Sequence, residues 1–361
     1  MVNNVIAFNS GCGDCSIIDN EKSCMLVDYG GGRININKIL SDVVSMLNRR
    51  KEKSLMISHL HRDHYNGIRL LSNKVTFQNI YLPDYIQGKG LKLLACALLT
   101  GNSSIIIEVK QILQIPRILF SNKLIDNKSK IYFFVSGDKF NNKLDEFEVL
   151  LPKIGNINLP TNIIEKFNSN EELNNFVNEY ISMFTLNDDE NGSFSIKNNC
   201  EFILSMIDTL IIEEEHLFTV EEKRIIIKEF KKFHNEMSIV FQNEKSNEKN
   251  ILFCGDAESA DLKLVSNKFF EKYSLIKIPH HGTLKKHFYG NFPPSNKFII
   301  FNGPSSNCSM ITTKYADTYG QNTKFYCSNP RCMYVVYNCI CSSCNNNGIC
   351  GFVNNFEIIT L

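Results

Sequence analysis

The chain contains no run of 18 apolar residues, the length a membrane-crossing helix requires. Its greasiest patches, such as LLACALL at Leu93–Leu99, stop well short, so no membrane association is expected. The opening MVNNVIAFNSG has no basic residue ahead of its first apolar run. It does not read as a secretory signal, which makes the cytoplasm the expected location. Charge of one sign is missing too: 39 Lys and Arg stand against 38 Asp and Glu, for a net charge of +1. That balance neither advertises nucleic-acid binding nor excludes it. There is no internal repeat and no low-complexity tract.

What is present is globular. With 361 residues and 43% hydrophobic content, the chain suits one large domain, or one domain with a sizeable insertion. Thirteen cysteines, an odd count, read as free thiols or metal ligands in a cytoplasmic setting, not as disulfides. NVIAFNS and CMLVDYGGG have the β-rich composition of strands ended by small residues, with a glycine-containing turn, GCGDC, between them. Ile36, Ile39, Leu40, Val43, Val44 and Leu47 recur at helical spacing. KSLMISHL is a short apolar strand. NIYLP, KIYFFVS and FEVLLP follow as strands, with helices over Leu91–Leu99 and near Ile105–Leu113.

Residues 155–233 differ. SNEELNNFVNEYISMF opens with Ser169 and Glu172 at capping-box spacing, and TVEEKRIIIKEFKKF repeats that spacing with Thr219 and Glu222. This block reads as a helical insertion of two to four helices between residues 1–154 and 234–361. Strands return after it in MSIVFQ, NILFCGD, LIKIPHHG, KFIIFNG, KFYC, MYVVYNC and FEIITL. Strands in both halves with helices between them predict two packed sheets with helices outside.

The chemistry gathers in SHLHRDHYNG, where His59, His61, Asp63 and His64 fall within six residues that directly follow a strand. With only eight histidines in the chain, chance crowding explains this poorly. Imidazole and carboxylate are ligands for zinc and related divalent ions. Further candidates sit at other strand ends: Asp256 in ILFCGDAE, and His280 and His281 in IKIPHHGT. Alone, Asp256 would read as a turn residue. Beside the other two stretches it reads as a ligand.

HLHRDH matches in full the H-x-H-x-D-H motif of the metallo-β-lactamase superfamily, which this chain resembles. More narrowly it resembles the ComEC-type branch, the metallo-β-lactamase domain of competence DNA-uptake proteins. FNSGCGDCSII, MLVDYGGG, FEVLLP, NEMSIVF, ILFCGDAE and IKIPHHGT occur in that branch's order, over roughly residues 4–82 and 145–303. The resemblance implies an αββα sandwich of two mixed sheets, with Asp256 as bridging aspartate and His280 or His281 as last histidine. His280 is favoured as the ligand because it comes first after the strand. His234, just before Ser238, is the candidate third ligand of a first metal. It could equally be a histidine ending a helix beside Lys231 and Lys232, since the ComEC-type branch often has only the asparagine matching Asn235.

The expected site holds two divalent metal ions, zinc or manganese. His59, His61 and His234 would hold one; Asp63, His64 and one of the paired histidines the other, with Asp256 shared. A metal-bridging hydroxide would be the nucleophile. Asp63 would orient it and take its proton, while the spare histidine, His281, or Lys285 would serve the leaving group. Metal-assisted hydrolysis is therefore the expected reaction, and the ComEC-type resemblance tilts it towards phosphodiesters of nucleic acid or nucleotides. Lys285, Lys286, Arg49, Arg50 and Lys51 are candidate phosphate contacts, although each singly suits a solvated surface charge. The rivals are an ester, lactone or amide hydrolase of the same fold, and a metal-bearing interaction protein. The helical block is expected beside the cleft mouth, where it would select substrate or dock a protein partner or second copy. His216 and His287 read as surface residues. The late C-x-C-x2-C-x5-C of Cys339, Cys341, Cys344 and Cys350 reads as free thiols in preference to a structural zinc site.

Overall fold

Short apolar runs that alternate across a pleat, or that are buried on both faces, account for most of the strands. In the computed structural model they form two sheets. The structure describes residues 1–11, 13–86, 89–153, 157–186, 194–196, 200–214, 216–243, 249–282, 291–301, 318–319, 323–328 and 355–361. The strands are β1 (Asn4–Phe8), β2 (Cys15–Asp19), β3 (Ser23–Tyr29), β4 (Glu52–Met56), β5 (Asn79–Pro83), β6 (Lys130–Phe134), β7 (Lys139–Asn141) and β8 (Glu146–Leu151). They continue with β9 (Phe184–Leu186), β10 (Phe194–Ile196), β11 (Val240–Asn243), β12 (Ile251–Phe253), β13 (Leu275–Lys277), β14 (Lys297–Ile300), β15 (Lys324–Cys327) and β16 (Phe356–Thr360).

The first sheet has the order β16-β1-β2-β3-β4-β5-β6-β10-β9 and the second β15-β14-β13-β12-β11-β8-β7. Both are mixed. β3 to β6 run parallel, as do β12 to β15, while the flanking pairs are antiparallel. The parallel strands β3, β12 and β13 are buried at every position, as strands covered on both faces should be.

Alternation along a strand splits its side chains between two cores. In β3, Met25 and Val27 join Val5 and Met56 against Val149, Phe241, Phe253 and Leu275 of the second sheet. Leu26 between them faces the other way, into a core shared with helices. Those helices include α2 (Leu40–Asn48), α4 (Gly90–Leu98) and α5 (Ser103–Leu113). On the far side, Leu252, Ile276 and Phe298 pack on Leu262 and Val265 of α11 (Ser259–Val265). Helix, sheet, sheet, helix is therefore the layer order: an αββα sandwich.

The helical block comprises α7 (Thr161–Ser169), α8 (Glu171–Ser182), α9 (Cys200–Glu213) and α10 (Val220–Glu236), with β9 and β10 extending the first sheet. It forms no separate core among the described residues. Phe176 and Tyr180 of α8, and Ile226 and Phe230 of α10, lie in the same cluster as α4, and the Tyr85 and Tyr180 hydroxyls meet at 3.0 Å. Helix α10 also runs through the expected boundary at residue 233. Its capping box is present, with Thr219 and Glu222 each accepting from the other's backbone N–H. The Ser169–Glu172 capping box is not. Asn170, one residue later, caps α8 by accepting from Leu173 N, and the Ser169 hydroxyl donates to Lys166 O instead. Asn is as good an N-cap as Ser, and its position decides the start of the helix. No described helix is long and apolar enough to cross a membrane.

Candidate metal centre

The site lies beyond the C-terminal ends of parallel strands from both sheets, where open α/β sheets place ligands. Strand β4 leads into His59, His61 and α3 (Arg62–Tyr65), which carries Asp63 and His64. The end of β12 supplies Asp256, and that of β13 supplies His280 and His281. His234 comes from the last turn of α10. Close backbone approach assembles these loops: a Cβ on Gly30, just after β3, would stand 2.0 Å from Asp63 O.

Among the described residues four groups of donor atoms have their atoms within 4.8 Å of one another: His59, His61 and His234; Asp63, His64 and His281; Asp14, Asp256 and His281; and Asp14, Asp28 and His64, of which the first two face the cleft. Asp256 adjoins the second, its Oδ2 3.4 Å from His64 Nε2 and 3.6 Å from His281 Nε2. It reaches the first through Ser238, whose hydroxyl accepts from Asp256 N at 3.1 Å and lies 3.0 Å from His59 Nδ1. The order expected for the paired histidines reverses. His281 Nε2 is 3.1 Å from Asp63 Oδ2, whereas His280 belongs to no such group and meets Asp256 Oδ2 at 3.3 Å. The cause is backbone: both residues have left-handed φ, +49° and +54°, and this turn swings the second ring, not the first, to Asp63.

Each of four histidines is held by one ring nitrogen from outside. His59 Nδ1 has Ser238, His64 Nδ1 has Asp28 Oδ2 at 2.9 Å, and His234 Nδ1 has Glu108 at 3.7 Å. His281 Nδ1 is shared between Phe301 O at 3.1 Å and Asp14 Oδ1 at 3.2 Å. The other nitrogens converge on the site: His59 Nε2 abuts His61 Nδ1, and His64 Nε2 and His234 Nε2 are buried with no hydrogen-bond partner. Buried polar atoms left without partners ask for an occupant. An outer acceptor that fixes the ring and turns the free nitrogen inward is the arrangement found around metal-ligating histidines.

Electrostatics point the same way. Burial pushes His59 well below the usual imidazole range, helped by His61, and pushes His61 down to about 4, helped by His234. Both are therefore neutral near pH 7, the form that binds metal. Burial opposes charge on His64 and His281 as well, but Asp256 and other carboxylates hold both well above the usual value. Burial likewise works to raise Asp63, yet the hydrogen bond from His281 brings it to about 2. Asp14, Asp28 and Asp256 face a buried ammonium, Lys277, which contacts Asp14, donates to Gly255 O at 2.8 Å and lies 3.8 Å from Asp256 Oδ1. Lys277 and the protons held on His64 and His281 balance these carboxylates, and a nitrogen–oxygen donor set of this kind, once a cation replaces those protons, fits divalent ions.

Above the donors opens a cleft of about 720 Å3. Arg33, at the start of α1 (Arg33–Lys38), lines it together with Arg62, Asn66, Glu108 and Gln111. Arg49, Arg50 and Lys51 do not line it, and Arg50 instead pairs with Asp19 at 2.6 Å. Lys285, Lys286 and His287 lie outside the described residues, as do Cys12, Cys308, Cys332, Cys339, Cys341, Cys344 and Cys350. His216 is exposed and away from the donors.

Sequence reasoning left five residues of this site without a role: Asp14, Asp28, Glu108, Lys277 and Arg33. Asp14, after Gly13 and just ahead of β2, and Asp28, in β3 two residues before Gly30, stand in the GCGDC and MLVDYGGG stretches, and Lys277 is a lone charge in an apolar strand. Glu108 gave no signal.

No family model matches the sequence, and no curated protein does. Among solved structures, the chain is similar to the metallo-β-lactamase fold protein YhfI from Bacillus subtilis, with 10% identity, both chains fully covered and a TM-score of 0.42. It is similar also to CmlA, a diiron β-hydroxylase from Streptomyces venezuelae, with 10% identity, TM-score 0.40, and 100% of this chain but 55% of that one covered. Zn2+-bound PqqB from Methylobacterium extorquens matches at 5% identity over 76% of this chain and 72% of that one, TM-score 0.33. These likenesses are distant.

Proposed function

We propose that the chain is a binuclear metal-dependent hydrolase acting on phosphodiesters of the nucleic-acid or nucleotide type. The observation that carries this reading is the pair of donor groups with Asp256 beside them, with the Nε2 atoms of His64 and His234 buried and without a hydrogen-bond partner. His59, His61 and His234 would hold one ion, Asp63, His64 and His281 the other, and Asp256 would be shared. Zinc or manganese bound there would supply Lewis acidity and bring the pKa of a water down towards neutrality.

The chain's own groups do the rest. Asp63, whose side chain is 40% exposed to the cleft, is the carboxylate placed to orient an attacking water and accept its proton. His280 lines the cleft at 23% side-chain exposure and is placed to give a proton to the departing alkoxide. Leu60 is the sole aliphatic side chain among the described lining residues, which favours a charged ester over an apolar one.

The test is hydrolysis of bis(p-nitrophenyl) phosphate by wild type and Asp63→Ala, with zinc and with manganese. Turnover in the wild type that disappears in the variant is expected. Metal-loaded protein that leaves this ester intact but cleaves p-nitrophenyl acetate would overturn the phosphodiester reading.

A further inference from the structure

The cleft is not symmetric in charge, and this bears on what the substrate carries besides the scissile bond. Its two cations enter from one neighbourhood. Arg33 follows the turn after β3, and Arg62 opens α3. Asn66 ties that turn to α3, donating from Nδ2 to Gly31 O at 2.9 Å and accepting from Gly31 N at 3.0 Å. The same turn lies against Asp63, so both arginines stand on the side of the Asp63–His64–His281 group. Both are exposed, and among the described residues neither forms an ion pair. Arg50, by contrast, is consumed by Asp19.

On the other side no Lys or Arg is among the described lining residues, although Lys231 lies near enough to Glu108 to help lower its pKa. Glu108 and Gln111 share one face of α5, three residues apart, and Glu108 meets His234 of the first donor group. One side of the cleft thus offers two guanidiniums with vacant forks. The other offers an amide and a carboxylate.

We propose that Arg33 and Arg62 form a subsite for a second phosphate group, one unit away from the scissile one. Guanidiniums bind phosphate through paired N–H donors, which a single exposed arginine does weakly and two together do with direction. The substrate class is then an oligonucleotide or another phosphodiester with a neighbouring phosphate, not an isolated diester. This rests on the phosphodiester reading above, and the experiment separates the two.

Thymidine 5′-(p-nitrophenyl phosphate) is compared with the same compound bearing a 3′-phosphate, in wild type, Arg33→Ala, Arg62→Ala and the double variant. The expected result is a KM about ten-fold lower for the 3′-phosphorylated compound in wild type, an advantage of the size that charged hydrogen bonds give. That ratio should shrink in each single variant and approach one in the double variant, with Arg33→Lys and Arg62→Lys intermediate. A wild-type ratio near one, or a ratio that survives in the double variant, overturns the subsite. If neither compound is cleaved, the phosphodiester reading has failed. The subsite then stands or falls on fluorescence anisotropy of a fluorescein-labelled thymidine octanucleotide with the metal-loaded protein. Equal affinity of wild type and double variant overturns it, and loss confined to the double and single arginine variants supports it.

Discussion

Asp28→Asn tests the reading of the site through a group that touches neither cleft nor substrate. Asp28 is buried and takes three donors: Ser58 N at 2.7 Å, Ser58 Oγ at 2.5 Å and His64 Nδ1 at 2.9 Å. An ionised carboxylate only accepts, so His64 keeps a proton on Nδ1, and it is Nε2, 3.4 Å from Asp256 Oδ2, that would give up its proton to a cation and offer a lone pair. Asparagine has nearly the same shape and tolerates the φ of +58° found here, so the backbone survives the exchange. Its Oδ1 can keep Ser58 N, but its Nδ2 is then a donor facing His64. The imidazole answers by taking the other tautomer, accepting at Nδ1 and pointing Nε2–H into the site, where a cation cannot use it. Outer-partner changes of this kind cost about 10–100-fold in metal affinity, or about 1.4–2.7 kcal/mol. The loss should fall on one ion of two. Titration of the apoprotein with zinc against a competing chromogenic chelator should therefore give two tight equivalents for wild type and one tight plus one weakened for Asp28→Asn. Ser58→Ala removes a donor to Asp28 and a long contact with His64 Nδ1 at 3.5 Å but leaves the Asp28–His64 bond in place, and should weaken binding far less. Two ions held within two-fold of wild type by Asp28→Asn would refute the tautomer argument.

His281→Ala should lose one equivalent of metal in the same titration, whereas His280→Ala should keep both and lose turnover; the opposite pattern would restore His280 as the ligand. Lys277→Met strips the ammonium from Asp14 while leaving the carboxylate buried, so urea denaturation of the apoprotein should show a loss of about 3–5 kcal/mol, and a change under 1 kcal/mol would mean that Asp14 finds another partner. Glu222→Gln keeps the capping acceptor of α10 but removes the charge that meets Lys166 at 2.8 Å. The Lys166 bond holds Glu222 at about 2, below its ordinary 4.5, so the charge stabilises the fold above pH 4.5 and ceases to as pH falls through 2. Because Lys166 is 37% exposed, the difference between wild type and Glu222→Gln at pH 7 should be about 1–2 kcal/mol, shrinking steadily below pH 4.5; a difference that is flat with pH would put the Glu222 contribution in packing alone.

The donors could be found in the sequence because their placement is local. Four of the candidates follow one strand within six residues, and Asp256, His280 and His281 come soon after other strands, which is why strand ends and spacing single them out, while His234 ends a helix. The two-sheet sandwich was legible for a similar reason: alternation in stretches such as CMLVDY fixes which side chains face which core. What fixes the orientation of the donors is not local. Ser238, Asp28, Glu108 and Asp14 hold one histidine each from four different elements, and Glu108 sits on a helix face with no local mark to set it apart. The choice between His280 and His281 turned on two left-handed residues that adjacency in sequence cannot rank. Which arginines line the cleft is not local either. Basic runs such as Arg49–Lys51 draw the eye, but Arg50 is spent on Asp19, while the arginines at the cleft stand singly in the chain and meet only because Asn66 holds the β3 turn against α3. Local spacing thus names the groups that would bind metal, and the sandwich, by bringing the strand ends of two sheets and the end of α10 together, decides which nitrogen each of them offers.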